Sequence, residues 1–313
     1  MLNQGAPALP SPTGEDERGD HDGLGTEARM KVIVVGAGNV GSSLARLFAS
    51  RRAEVCLWSR SAVPADRQGL VMQAGRVRVV EGGANPGGEA PDLVVLAVPD
   101  AAIPEAARLP DAWGVAVTVP VVHTSGSYVG ERPALGERPF GRMHPAFSFP
   151  GPDVELTEMA DMQFVLTGDV AAVEGARAGL EKMGLFSVRP AALDLRLYHA
   201  ACVMASNFTG AVGVVAGSLL AKAGLRGEDA ERVMQPLMRS VVMNARRVGF
   251  LHALTGPVMR NDKEVVCGEA DEVLKQAPEL LPFFLEGNRT LAVVAKRPRM
   301  IEAIVQWARK RMG

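Results

Sequence analysis

The chain has 313 residues, close to half of them apolar, with 34 basic and 35 acidic side chains and a formal net charge of −1. That length supports two domains with ample core, and the balanced charge leaves no basic field to attract nucleic acid. Three scattered cysteines, Cys56, Cys202 and Cys267, make neither a disulfide framework nor a zinc set and fit reduced thiols in the cytoplasm.

Residues 1–29 are rich in Gly, Pro, Asp and Glu, with acidic clusters at Glu15-Asp16-Glu17 and Asp20-His21-Asp22. Such a stretch cannot bury enough apolar surface to offset its ordering entropy and reads as a disordered extension. No basic start followed by an apolar run marks a signal peptide.

The first strong signal is KVIVVGAGNVGSSLARLF, residues 31–48. Residues 31–35 are a β-branched run, the composition of a strand buried on both faces. Leu44, Leu47 and Phe48 then recur at helical spacing. Between them Gly36, Gly38, Asn39, Val40 and Gly41 make a GxGxxG at a strand-to-helix turn, the context in which that motif means dinucleotide binding. Gly36 allows the tight turn, Gly38 leaves room for a pyrophosphate, and Gly41 lets the helix pack on the strand. The helix N-terminus adds free N–H groups and partial positive charge.

A second strand at 54–58 ends in Ser59-Arg60-Ser61. An acid for the ribose 2′-hydroxyl would mark NAD; two hydroxyls and a guanidinium suit a 2′-phosphate, and so NADP(H). Residues 63–74 read as a short helix or loop, 76–80 as a strand, 81–89 as a Gly-rich loop and 92–98 as a buried strand. Residues 101–108 read as a helix, and 114–119 as a strand running into Val121–Ser127. Residues 140–149 read as a strand and turn, 162–167 as a strand, 170–183 as a helix and 185–188 as a last strand. This alternation predicts an α/β Rossmann fold, a doubly wound parallel sheet spanning 30–190. Ligands in such sheets sit at the carboxyl ends of strands, so Val98, Pro99 and the loop 123–127 should flank the nicotinamide and substrate.

Beyond Pro190 strand signals vanish. Helices are expected at 193–223, 228–248, 262–276, 278–296 and 298–312, an all-α domain over 191–313. Residues 200–221 carry no charge. Alone they could span a membrane, with a GxxxG at Gly213–Gly217. Ser206, Asn207, Thr209 and Ser218 dilute the hydrophobicity, so the segment reads as the central helix of a bundle or as a dimer face.

Within that helix, at 100° per residue, Ser206 lies about −20° and Asn207 about 80° from His199, with Asn207 ~12 Å further along the axis. A polar side on an apolar helix needs partners, either a polar substrate in a cleft or satisfied packing in a core. Arg260, in Thr255–Asp262, is either a carboxylate-binding guanidinium at a helix start or a surface arginine. His144-Pro145 either lines the site or fixes a turn. No His or Cys pair has metal-ligand spacing, and no metal is expected.

The stretches GAGNVG, LAVPDAAI, VVHTSG, GRMHPAFSF, YHAACVMASNF and LTGPVMRND, over roughly residues 31–290, resemble a bacterial family of Rossmann-like proteins whose C-terminal part is a domain of unknown function, DUF2520. The layout is similar to ketopantoate reductases and, more distantly, to pyrroline-5-carboxylate reductases and 6-phosphogluconate dehydrogenase-like enzymes. The resemblance implies NADPH or NADH and a 6-phosphogluconate dehydrogenase C-terminal-like helical domain that often dimerises. In ketopantoate reductases an equivalent helix carries a catalytic Lys and two Asn at successive turns. Those positions fall here on His199, Val203 and Asn207, so an imidazolium would replace the ammonium and one substrate hydrogen bond is absent. The implied activity is NADP-dependent reduction of a small 2-oxo acid. His199 would be the proton donor, Asn207 would orient the oxygen, Arg260 would hold the carboxylate, and Ser125, His144 and Ser206 would make further contacts. A cyclic imine reductase and a non-catalytic NADP(H) sensor are the alternatives.

Overall fold

The structure, a computed structural model, describes residues 29–312; the extension expected over residues 1–29 lies outside the described residues, apart from Arg29. The chain divides into two compact units, one ending at Ser206 and the other running from Asn207.

The first unit is built on one eight-stranded sheet. Its strands are β1 (Lys31–Val35), β2 (Glu54–Trp58), β3 (Val77–Val80), β4 (Leu93–Leu96), β5 (Val121–His123), β6 (Phe140–Pro145), β7 (Gln163–Gly168) and β8 (Phe186–Val188). They lie in the order β3-β2-β1-β4-β5-β6-β7-β8. From β3 through β6 all pairs are parallel. The expectation of a wholly parallel sheet is corrected at one place: β7 runs antiparallel to β6, with His144 opposite Val165. Residues 146–162 between them contain no helix, and without a helical crossover the chain returns beside β6 in the opposite direction.

Alternation along β1 sorts the two cores. Val32 and Val34 face one side with Leu44, Leu47 and Phe48 of α1 (Asn39–Ser50) and Ala176 and Leu180 of α5 (Val170–Lys182). Ile33 and Val35 face the other, with Trp58, Leu96, Ile103 and Ala106. Continuous apolar strands are what burial on both faces requires. Helix α2 (Ala65–Gln73) follows β2. The helix expected at 101–108 is broken into a 3-10 turn, Asp100–Ala102, and α3 (Ile103–Ala106), with α4 (Leu109–Ala112) beyond. Pro104 and Pro110 sit in the first turns of α3 and α4, where proline is tolerated and an uninterrupted helix is not.

The strand expected at 114–119 is not formed. The guanidinium of Arg138 donates to the carbonyls of Val115, Ala116 and Val119 at 2.7, 2.9 and 3.1 Å. Those acceptors are satisfied by a side chain instead of a ladder, and pairing begins only after Pro120.

A continuous helical run covers α6 (Leu195–Val203), a π turn at Met204–Phe208 and α7 (Thr209–Lys222). Asp194 caps α6 by accepting from the N–H groups of Arg196 and Leu197. Hydrogen bonding i→i+5 in the π turn breaks the 100° step, so the angles expected for Ser206 and Asn207 relative to His199 do not hold. The second unit continues with α8 (Glu228–Val248), α9 (Phe250–Ala253), α10 (Lys263–Gln276), α11 (Leu281–Val294) and α12 (Pro298–Met312). Its cores are small: Val258, Val266, Ala292, Met300 and Ile304 in one, Ala270, Val273, Leu281 and Trp307 in the other. The expectation of a central bundle helix over 200–221 is corrected here. Leu195–Lys222 is long and apolar enough to cross a membrane by length and composition, yet none of its most apolar stretch is buried. Val214 is 73% exposed and only Gly213 of α7 is buried. Leu219 alone of α7 packs against the core around Ala270, Val273, Leu281 and Trp307.

Candidate active site

The turn from β1 to α1 is set by two close approaches. Gly36 has φ +107°, and a Cβ there would lie 2.4 Å from the Ala97 carbonyl oxygen. A Cβ on Gly41 would lie 1.8 Å from the carbonyl oxygen of Gly36. Neither position admits a side chain. Gly38 differs: its backbone is extended, as any residue can be, and a Cβ there would meet nothing within 4 Å. The fold does not need glycine at 38; the open space lies over the start of α1, whose first turn has no side-chain cap. Such a turn fits a pyrophosphate, with uncapped N–H groups facing it. Val40 lies in the first turn of α1. Asn39 donates to the Pro150 carbonyl at 3.1 Å and accepts from Arg67 at 3.3 Å, and Arg67 also donates to the Ala37 carbonyl at 2.7 Å.

At the end of β2, Ser59 Oγ accepts from the Ser61 N–H at 3.3 Å. Arg60 is exposed and lies 3.9 Å from Glu105, a loose surface pair, of the kind that contributes little. Val98 is half-buried against the core of the α3 side, and Pro99 leads the 3-10 turn at Asp100. Among the described residues no group of three or more His, Cys, Asp or Glu is placed to hold a metal ion.

Further along the same carboxyl edge, β5, β6 and α6 gather a polar cluster. His144 Nδ1 is 2.5 Å from the Tyr198 hydroxyl, and the two rings meet edge to face at 5.5 Å. Gly126 lies against the other nitrogen: a Cβ there would be 2.7 Å from His144 Nε2. Ser125 shapes that loop, its Oγ accepting from the N–H groups of Ser127 and Tyr128 at 3.2 and 2.9 Å. His123 packs between Tyr128 and Phe140. Arg142, two residues before His144 and on the same face of β6, donates from Nη2 to the Tyr128 carbonyl.

Four buried nitrogens in this cluster have no hydrogen-bond partner among the described residues: His123 Nδ1, Arg142 Nε and Nη1, and His199 Nδ1. Burial and then the Arg142 charge push His123 down to about 4. Burial, Arg142 and then His199 do the same to His144, also to about 4. Burial first, then a hydrogen bond to the Cys202 thiol, raises the Tyr198 phenol. At neutral pH this edge therefore presents two neutral imidazoles, a protonated phenol and one fixed guanidinium.

The structure thus brings Ser125, His144 and His199 together in the first unit. Ser206 Oγ donates back along its helix to the Cys202 carbonyl at 2.8 Å. Asn207 opens the second unit, which also holds Arg260, an exposed turn residue whose N–H donates to the Gly256 carbonyl. Sequence reasoning missed Arg142, Tyr198 and Arg67. An arginine two residues before His144 in the strand FGRMHP, and one of only two tyrosines in the chain, beside His199, were the available signals.

Residues 162–289 match the family model described as a domain of unknown function, DUF2520. No curated protein matches the chain. Among solved structures, it is similar to a protein of Bacteroides fragilis described as a candidate NADP oxidoreductase, BF3122, at 19% identity and TM-score 0.63, over 84% of this chain and 98% of that one. It is similar to protein TM1727 of Thermotoga maritima at 24% identity and TM-score 0.59, over 86% and 99%. A pyrroline-5-carboxylate reductase of Coxiella burnetii aligns at 14% identity and TM-score 0.54, over 85% and 97%. At these identities the likeness establishes the fold: a Rossmann-like sheet followed by a helical C-terminal region.

Two outcomes follow for this edge of the sheet. Gly41→Ala should destabilise the protein by about 3 kcal/mol or more, because backbone must move, whereas Gly38→Ala should melt like the wild type but bind NADPH at least about tenfold more weakly. Thermal melts and NADPH titrations read both, and equal behaviour of the two variants would contradict the assignment.

The second outcome concerns pH. Unfolded, His123 takes up its proton as pH falls through 6.5; folded, it resists to about 4. The unfolded state binds more protons in that window, so stability is lost as pH falls, by about 2 kcal/mol from this residue between pH 7 and 5. Urea unfolding at both pH values should show a smaller loss for His123→Phe; an equal loss would leave His123 outside the titration.

Proposed function

We propose that the chain is an NADP-dependent oxidoreductase that reduces a small 2-oxo acid, ketopantoate-like first, by hydride transfer. The observation that carries this reading is an open phosphate turn and a cluster of unsatisfied buried donors on the same carboxyl edge of one sheet, where doubly wound folds bind ligands. The DUF2520 match and the similarity to a candidate NADP oxidoreductase support it.

Gly36–Gly41 would hold the pyrophosphate, and Ser59, Arg60 and Ser61 the 2′-phosphate, with Arg67 close to the turn. The loose pair with Glu105 leaves Arg60 free to turn toward a phosphate. A bound nicotinamide supplies hydride to the carbonyl carbon. His199 donates the proton that the developing alkoxide requires, and Asn207 orients the oxygen. His144 is suited to positioning, not to proton donation: burial and then the Arg142 charge hold it neutral, and its Nδ1 is engaged with Tyr198. A cation holds the substrate carboxylate, with Arg260 the candidate that the sequence suggested. A second copy of the chain is our proposed cover for the apolar helix at 195–222, in a cytoplasmic homodimer.

Two substitutions test the reading. Arg60→Ala should weaken NADPH by about tenfold or more, the value of one charge-assisted hydrogen bond, and leave NADH unchanged. His199→Ala should lower kcat for 2-oxo acid reduction by at least about 10² while NADPH binding is kept. A folded, NADPH-saturated His199→Ala protein with near wild-type turnover would exclude the proton-donor role. It would favour reduction of a cyclic imine, which arrives already protonated.

A further inference from the structure

Buried arginines in this chain are of two kinds. Arg138, 1% exposed, has five N–H groups and five bonds: two to Asp111 Oδ1 at 3.0 and 2.7 Å, and three to the carbonyls of Val115, Ala116 and Val119. Arg46 holds the Pro152 and Val154 carbonyls at 2.7 and 2.9 Å. These are structural arginines, and the chain satisfies them. Arg142 is as deeply buried, at 4% exposure, yet only Nη2 has a partner, the Tyr128 carbonyl; Nε and Nη1 have none.

Among the described residues no carboxylate bonds to Arg142. Asp100, whose charge reaches it, accepts instead from the Ser127 hydroxyl at 2.7 Å. The other polar groups around it are His123 and His144, both neutral, and the Tyr198 phenol. A buried guanidinium cannot shed its proton, so its charge and its unmade hydrogen bonds are both costly unless a ligand supplies oxygens. Water would satisfy the donors but not the charge. A carboxylate satisfies both, because the second N–H of Nη2 makes a fork with either Nε or Nη1.

We propose that Arg142 is the anchor for the carboxylate of the substrate, in place of Arg260. This deepens the 2-oxo acid reading and rests on it. The carboxylate lies across the guanidinium. The 2-oxo group is then presented toward the side of the cluster that carries His144, Tyr198 and His199.

Oxamate, a 2-oxo acid analogue that hydride cannot reduce, tests the site by calorimetric titration of the full chain with NADP+ present. The wild type and Arg260→Ala should bind it alike. Arg142→Gln should bind at least about 30-fold more weakly, as expected when one member of a buried charged pair is removed. Arg142→Lys, which keeps the charge and loses the fork, should fall between. Equal affinity of wild type and Arg142→Gln, loss confined to Arg260→Ala, or no binding to the wild type would each overturn the assignment. If the Arg142 variants do not fold, a crystal structure of the wild type with NADP+ and oxamate decides. The carboxylate is expected about 3 Å from the Arg142 guanidinium, and oxamate elsewhere, or only water there, overturns the proposal. Oxamate binding at Arg142 without turnover of any 2-oxo acid would keep the anion site and remove the reductase reading, so the two fail separately.

Discussion

A missing methyl group at residue 41 fixes where everything else on this edge can be. A Cβ there would sit 1.8 Å from the Gly36 carbonyl oxygen, so α1 approaches β1 as closely as backbone allows. That contact brings the N-terminus of α1 directly over the carboxyl end of the central strand. It also lets Leu44, Leu47 and Phe48 reach the sheet and close the larger core. Gly36 meets Ala97 in the same way, which ties the loop after β4 to the phosphate turn. The glycine turn, the packing of the first helix and the start of the loop at Val98 are therefore one constraint.

The far half of the sheet solves a different problem. Once β6 lies parallel to β5, its carboxyl end carries His144 toward the same edge as His123. The chain then reverses into β7 without a helix. Gly126 lets the loop after β5 lie flat on the imidazole of His144, and Tyr198 from α6 closes its other nitrogen. Three elements far apart in sequence thus hold one ring in one orientation. Those contacts fix the orientation of the His144 ring.

Legibility in the sequence followed the range of the interactions. The strand-turn-helix of residues 31–50, the alternation of Val and Ile across two cores and the helices beyond residue 193 are local patterns, and they were readable. Residues 114–119 looked like a strand because their composition is apolar, but Arg138, about twenty residues on, takes their carbonyls. The direction of β7 depended on the absence of a helix between two strands, a negative signal. At the candidate site, the glycine turn was readable, and His144 and His199 could be singled out from residue type alone. Arg142 could not be separated from Arg138: both are arginines near strand starts, and only the count of satisfied N–H groups in three dimensions distinguishes them. The angles between His199, Ser206 and Asn207 were changed by a π turn, which leaves no trace in hydrophobic periodicity.

Burial at the carboxyl edge acts unequally on its bases, and this decides the charge that a ligand meets. Imidazole has an ordinary pKa near neutrality and escapes burial by losing its proton, as His123 and His144 both do. Guanidinium starts far above neutrality; burial lowers it, but Tyr198 and Asp100 oppose the shift, and the charge stays. Each neutralised ring in turn removes a repulsion that would have worked against its neighbours. The edge therefore sorts itself into one persistent cation among neutral polar groups. The Asp100 carboxylate is drawn off to Ser127. Such a field attracts an anion, tolerates a neutral oxygen beside it and opposes a cationic ligand. A 2-oxo acid, with a carboxylate next to a carbonyl, matches that order of charges along its length.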